Sequence, residues 1–426
     1  MRVVLVTPTA RSSAIGAISS RLALHLAING HKVDVVGSET TASFGAPEHP
    51  FPSATIHYGE SVVEEKLRHA DSVIYQIGNN YSNHAGAVYW LHRMPGVVCL
   101  HDAFLGHLFS AWAQENWARA QSVLARWYGP EVQRDYWDWQ ARSDFLESTI
   151  ERAPMTEWIC SAATGIFTHS NYYVNRAVSA CSGPVWSFPL CHAKDTSAVV
   201  DLVSARQLRV PDRYVVVTFG HIIPNKRVDL IIDAIGTDPK LKQTVDYRVV
   251  GPITPSYRHA LERQAHHKGV SFTLTGEVSD AQLAVEISDA DAVVALRWPA
   301  AEIASASVIE SLWYGKPTIV TNTGWYSELP DDIVYKTHSN IESEQLSKIL
   351  MSVLHSSNKL AKVDKITNYS RVTFNSETYC AYVLQFIVQN YKIFLVQNEI
   401  RRILSSLTRW RGIVSDAHLA DRWNIV

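Results

Sequence analysis

An excess of charge of either sign is missing from this chain: 39 Lys and Arg stand against 41 Asp and Glu, a formal net charge of −2. A surface without a dominant sign gives no global electrostatic case for nucleic-acid binding. Cysteine is sparse as well. The five, Cys99, Cys160, Cys181, Cys191 and Cys380, are odd in number and form no C-x-x-C pair, which fits reduced thiols and leaves no zinc site expected. No apolar run reaches the length of a membrane span. The N-terminus MRVVLVTPTA enters a strand at once, without a charged leader, an apolar stretch and a cleavage site in order. The cytoplasm is the expected compartment. No G-x-G-x-x-G follows RVVLVTP, which counts against an NAD-dependent enzyme. No D-x-D stands in a plausible metal loop, since SDADAVV (288–294) reads as a helix end running into a strand.

What is present is a globular composition, 46% hydrophobic and 19% charged, in a chain of 426 residues that is too long for one ordinary core. The first half opens with the strand RVVLVTP (2–8) and an amphipathic stretch from about Gly16 to Ile28. Asn29-Gly30 stops that helix, and the strand KVDVVG follows. Further β-branched runs are SVIYQIG (72–78), GVVCLHD (96–102), GIFTHS (165–170) and PVWSFPL (184–190). A second series begins near Pro211 with YVVVTFG (214–220), DYRVVG (246–251), VSFTLTG (270–276), AVVALR (292–297) and PTIVTN (317–322), separated by helical patterns such as VDLIIDAI and SDAQLAVEI. This alternation predicts an α/β protein with two Rossmann-like domains, residues 1–200 and 206–372, joined by a linker around 193–211. Helices from 373 to 426 are expected to pack across both. In such folds ligands bind outside the carboxyl ends of the strands, so function is sought in the loops that follow them.

Two of those loops stand out. In AEIASASVIESLWYGKPTIVTNTGW (301–325), Ser305 and Ser307 are good capping residues for a helix through Tyr314 that ends at Gly315. Its unpaired N–H groups and its dipole favour a phosphate there. Glu302 precedes the helix and Glu310 lies more than a turn inside it, so the two carboxylates can reach different parts of one ligand. A nucleotide sugar has that shape. In VVVTFGHIIPNKRVDLIIDAI (215–235), Gly220 permits a sharp turn and close approach, and the pair Lys226-Arg227 arrives at a helix start. Cations there oppose the helix dipole unless an anion such as a diphosphate lies nearby.

With these segments in hand, the chain resembles the GT-B glycosyltransferases of family 4, retaining enzymes that use nucleotide sugars. The matching pieces are Ala14-Ile15-Gly16, LHD (100–102), THSNYYV (168–174), GHIIPNKR, VVG (249–251), TGEVSD (275–280) and the E-x7-E segment from Glu302 to Glu310. The run from Gly324 to Asp331 is similar to a bacterial branch with GW-x-x-ELPD. The resemblance implies two Rossmann-like domains facing across a cleft, no cofactor and no metal. It implies that Lys226 contacts the diphosphate, that Glu310 accepts from the ribose hydroxyls, and that Glu302 faces the transferred sugar. The amides of Ser305, Ala306 and Ser307 would hold the phosphate, and Val278 would lie near the base. The family commonly has arginine where this chain has His221, which leaves Arg227 and Arg297 as candidates for the second phosphate cation. The resemblance also places His101 beside the donor sugar, with Gly16 letting the early loop approach the same point. Asp102 would orient His101 or cap the next helix.

Between Asp102 and Ile166 lie Trp112, Trp117, Trp127, Trp137, Trp139 and Trp158, some necessarily core and the rest suited to an acceptor sugar or lipid headgroup. EIRRILSSLTRWRG (399–412) has arginines opposite Ile400, Ile403, Leu404, Leu407 and Trp410. Such a pattern more often packs on its own protein, and contact with the inner face of a membrane is the alternative. The expected activity is transfer of a sugar from a nucleotide-sugar donor to a glycan or lipid-linked glycan acceptor in bacterial polysaccharide or glycoconjugate synthesis. A GT-B epimerase or phosphorylase and a non-catalytic nucleotide-sugar binding protein are the rivals.

Overall fold

The computed structural model describes residues 1–45, 47–193, 213–356 and 359–409. The chain divides into two compact units, Met1–Pro189 with Ser376–Val426, and Leu190–Asn375. The expected linker lies outside the described residues from 194 to 211, and so does Trp410.

In the first unit the strands are β1 (Arg2–Thr7), β2 (Lys32–Gly37), β3 (Thr55–His57), β4 (Ser72–Ile77), β5 (Val97–Leu100), β6 (Gly165–Thr168) and β7 (Val185–Ser187). They form a parallel sheet in the order β3-β2-β1-β4-β5-β6-β7. Val3, Val4, Leu5 and Val6 are all buried, which is why β1 reads as a continuous apolar run instead of an alternating one. The helix Ala14–Ile28 starts at Ser13, whose Oγ accepts the Gly16 N–H at 3.1 Å, and stops at Asn29 before Gly30 at φ 79°. The long helix Ser376–Arg409 belongs to this unit, with the Phe386 ring 5.8 Å from that of Phe167 on β6.

The second unit contains β8 (Tyr214–Phe219), β9 (Val245–Val250), β10 (Ser271–Gly276), β11 (Ala292–Ala295), β12 (Thr318–Thr321) and β13 (Tyr335–Thr337). Their order, β10-β9-β8-β11-β12-β13, is again wholly parallel. The helix Val228–Thr237 buries Val228, Ile231, Ile232 and Ile235, spaced i, i+3, i+4 and i+7, in the core that includes Tyr247 and Val249 of β9. Each such side chain contributes roughly 1.5–3 kcal/mol on burial. Sheet order reverses beside β1 in one unit and beside β8 in the other. The loops after β8 and β11 therefore flank a crevice of the kind that binds ligands in this topology.

Candidate functional site

In the second unit, β8 ends at Phe219 and the chain turns at Gly220, φ 89°, a conformation that disfavours any side chain. A Cβ there would also stand 3.0 Å from the Nζ of Lys226. After a short 3-10 turn over Pro224–Lys226, Lys226 folds back into the protein, 3% exposed, and its Nζ donates to the Phe219 carbonyl. Burial and the nearby Arg297 charge hold its pKa well below the ordinary lysine value, with Glu302 opposing them. From the end of β11, Arg297 enters the same region. Its Nε donates to Glu302 Oε1 at 2.6 Å and its Nη1 to the Leu296 carbonyl at 2.9 Å, while its backbone N–H is held by Thr321 Oγ1 at 3.0 Å. The Tyr326 hydroxyl donates to the same Glu302 oxygen at 2.5 Å. Burial pushes the Glu302 carboxyl up, but the Arg297 charge and these two hydrogen bonds outweigh it and leave the pKa lowered. Lys226, Arg297 and Ser307 line one small cavity with Thr218, Phe219 and Ala295.

The E-x7-E helix forms as Ala306–Trp313, with Ser305 at its N-cap and Gly315 beyond its end at φ 66°. One detail differs from the sequence expectation. Ser305 makes no side-chain cap; its Oγ pairs with Ser307 Oγ at 3.1 Å, so the capping role fails while the position holds. Ala306 is exposed and Glu310 is buried, inside the helix. Arg227, left-handed at φ 53°, donates from Nη1 to the Ser339 carbonyl at 3.2 Å, so of the two candidate arginines only Arg297 lines the cavity with Lys226. His221 is exposed, and Val278 is half-buried in the loop before the helix Asp280–Asp289. Tyr326 was not foreseen. Its position inside the Gly324 to Asp331 run was the available signal, because a fully buried tyrosine needs a partner for its hydroxyl.

In the first unit, His101 follows β5 and is 8% exposed, with Nε2 2.6 Å from Gln76 Oε1. Burial pushes its pKa well below the usual histidine value, with smaller contributions from His169 and His84. Asp102 Oδ2 accepts the Asn79 N–H at 2.8 Å, and Asn79 Oδ1 in turn accepts the His107 and Leu108 N–H groups at 3.0 and 3.1 Å. The first turn of the helix Gly106–Ala113 is therefore capped by Asn79, with Asp102 holding the capping residue. Gly16 sits where a Cβ would come within 2.8 Å of the Pro8 carbonyl oxygen, so the early loop closes tightly on the end of β1. Among the tryptophans, Trp112, Trp137 and Trp158 surround the buried Phe109, while Trp117 is 55% exposed against Trp137. Ile400 and Ile403 are exposed, and no helix among the described residues is long and apolar enough to cross a membrane.

Residues 201–371 match the family model for glycosyl transferases group 1. No functionally curated protein matches the sequence. Solved structures with this architecture include a sucrose-phosphate synthase from Thermosynechococcus elongatus, 15% identical over 92% of this chain and 99% of that one, with a TM-score of 0.63. Anabaena HepE in complex with UDP is 16% identical over 91% of this chain and 100% of its own, TM-score 0.59. WaaG, a glycosyltransferase involved in lipopolysaccharide biosynthesis, is 16% identical over 89% of this chain and 98% of its own, TM-score 0.55. The chain has the GT-B fold of two parallel-sheet α/β domains, and the match to glycosyl transferases group 1 falls on the second of them.

Proposed function

We propose that this protein is a retaining, metal-independent glycosyltransferase of family 4, moving a sugar from a nucleoside-diphosphate donor to a glycan or lipid-linked glycan acceptor. The observation that carries this reading is the cavity beyond β8 and β11, where buried Lys226 and Arg297 meet Ser307 at a helix N-terminus. Two buried basic side chains share one carboxylate, Glu302, so positive charge is in excess there and suits an anion. A diphosphate placed there balances the positive charge and raises the Lys226 pKa toward its ordinary value. Solved structures of HepE with UDP and with UDP-glucose support the donor class.

In this reading Lys226, Arg297 and the free N–H groups at Ser305 to Ser307 stabilise the charge that develops on the departing diphosphate. No divalent cation is needed where fixed cations do this. Glu310 takes the ribose hydroxyls. Glu302, with one oxygen held by Arg297 and Tyr326, is locked in orientation and turns its remaining oxygen toward the sugar. The test incubates the protein with UDP-glucose and other nucleotide sugars, with and without glycan acceptors and without added Mg²⁺ or Mn²⁺. The reading requires donor consumption that depends on acceptor; conversion of donor without acceptor points to an epimerase, and dependence on added metal contradicts the proposal.

A further inference from the structure

Cys99, His101 and His169 bring three metal-ligating atoms within 4.8 Å of one another in the first unit. Their meeting follows from strand register. Cys99 on β5 pairs with Phe167 on β6, and His101 and His169 each lie two residues further along. Side chains two apart in a strand share a face, so the three fall on one side of the sheet at its carboxyl end. The Sγ of Cys99 is 3.3 Å from His101 Nε2 and 3.4 Å from His169 Nε2. A tetrahedral zinc ion with ordinary Zn–S and Zn–N bonds has an S···N edge of about 3.5 Å, which both S···N distances already match.

The surroundings match what a metal site requires. His169 Nδ1 lies 3.2 Å from the Phe188 carbonyl oxygen, and an N–H donated there leaves the Nε2 lone pair toward Cys99. A backbone carbonyl holding the far nitrogen of a ligating histidine is the usual outer contact of such sites. Both rings are buried, and the neutral imidazole is the ligating form. Gln76, fully buried, places Oε1 2.6 Å from His101 Nε2, while its own Nε2 has no partner. Hydrogen bonds alone leave this cluster unfinished.

We propose that Cys99, His101 and His169 form a buried site for a zinc-class divalent cation, with Gln76 Oε1 as the nearest fourth donor. As the metal–sulfur bond forms, the Cys99 thiol gives its proton to the buffer, and His101 carries its ring proton on Nδ1. The absence of C-x-x-C spacing hid this site, because its ligands stand on two strands about 70 positions apart in sequence. The site includes His101, which the family resemblance places beside the donor sugar; metal binding is read without turnover and so is tested separately from that role.

The test titrates the full chain, stripped with a chelator, with Co²⁺ and then with Zn²⁺, following visible and near-ultraviolet absorption. One equivalent of Co²⁺ should give tetrahedral d–d bands and a thiolate-to-cobalt charge-transfer band, both lost on adding Zn²⁺. Cys99→Ser should abolish the charge-transfer band, and His169→Gln should weaken binding by about tenfold or more. No thiolate band in the wild-type protein at one equivalent overturns the proposal, and so does a band that persists in Cys99→Ser. Should Cys99→Ser fail to fold, wild-type titration and His169→Gln still decide: unchanged affinity in His169→Gln means that other histidines hold the metal.

Discussion

The two units share a strand order but place opposite electrostatics beyond the carboxyl ends of their central strands. In the second, Lys226 and Arg297 are buried as a cationic pair with Glu302 as partial counter-charge. In the first, His84, His101 and His169 are buried as neutral imidazoles, joined to Gln76 and Cys99 by short polar contacts. Topology therefore chooses where chemistry can stand, and the side chains choose its sign. One crevice gathers positive charge, the other neutral donors and acceptors.

The largest effect should come from Glu302→Gln. Arg297 then keeps a buried charge without its partner, which costs about 3 kcal/mol and lowers the urea midpoint of the second unit. Diphosphate affinity should hold or tighten, because Arg297 is released toward the anion. Glu310→Gln should instead weaken binding of a bare nucleoside diphosphate. Equal loss of diphosphate binding in both variants would contradict the division of roles between the two carboxylates.

Acid should separate the units. His84 and His169 have folded pKa values of about 4, so between pH 6.5 and 4 the unfolded chain binds more protons and stability falls as pH drops. The loss is on the order of 1–2 kcal/mol for each at pH 5. Glu302, with a lowered pKa, gives stability that is present above its unfolded value and lost only as pH falls through its folded value. Hydrogen exchange between pH 7 and 5 should show the first unit loosening first; the reverse order would break the contrast. A smaller effect is expected from Tyr326→Phe, which removes one of two donors to Glu302 Oε1. Stability should drop by about 1–2 kcal/mol and the Glu302 pKa should rise, as read by NMR titration.

Much of this was legible in the sequence. The long strands announce themselves because a parallel sheet buries both faces, as Val215, Val216 and Val217 show. The three-residue edge strands β3 and β13 carry no such run and were not expected. The two loop segments of the proposed anion site stand out in the sequence because Gly220 to Arg227 and Glu302 to Glu310 are each local. The Tyr326 contact to Glu302, the Asn79 cap and the Cys99–His169 approach all join residues 24 or more apart, where only tertiary structure supplies the neighbour. The cap at Ser305 failed for a local reason: Ser307 offers its hydroxyl a partner in place of the backbone.

The most direct test of the anion site is a calorimetric titration of wild type and Lys226→Ala with a nucleoside diphosphate and with the matching nucleoside. Loss of a charge-assisted hydrogen bond of about 1.5–3 kcal/mol predicts diphosphate affinity lower by roughly ten- to a hundredfold, with nucleoside affinity unchanged. Equal diphosphate affinity in the two proteins, or an equal loss for diphosphate and nucleoside, would contradict the account.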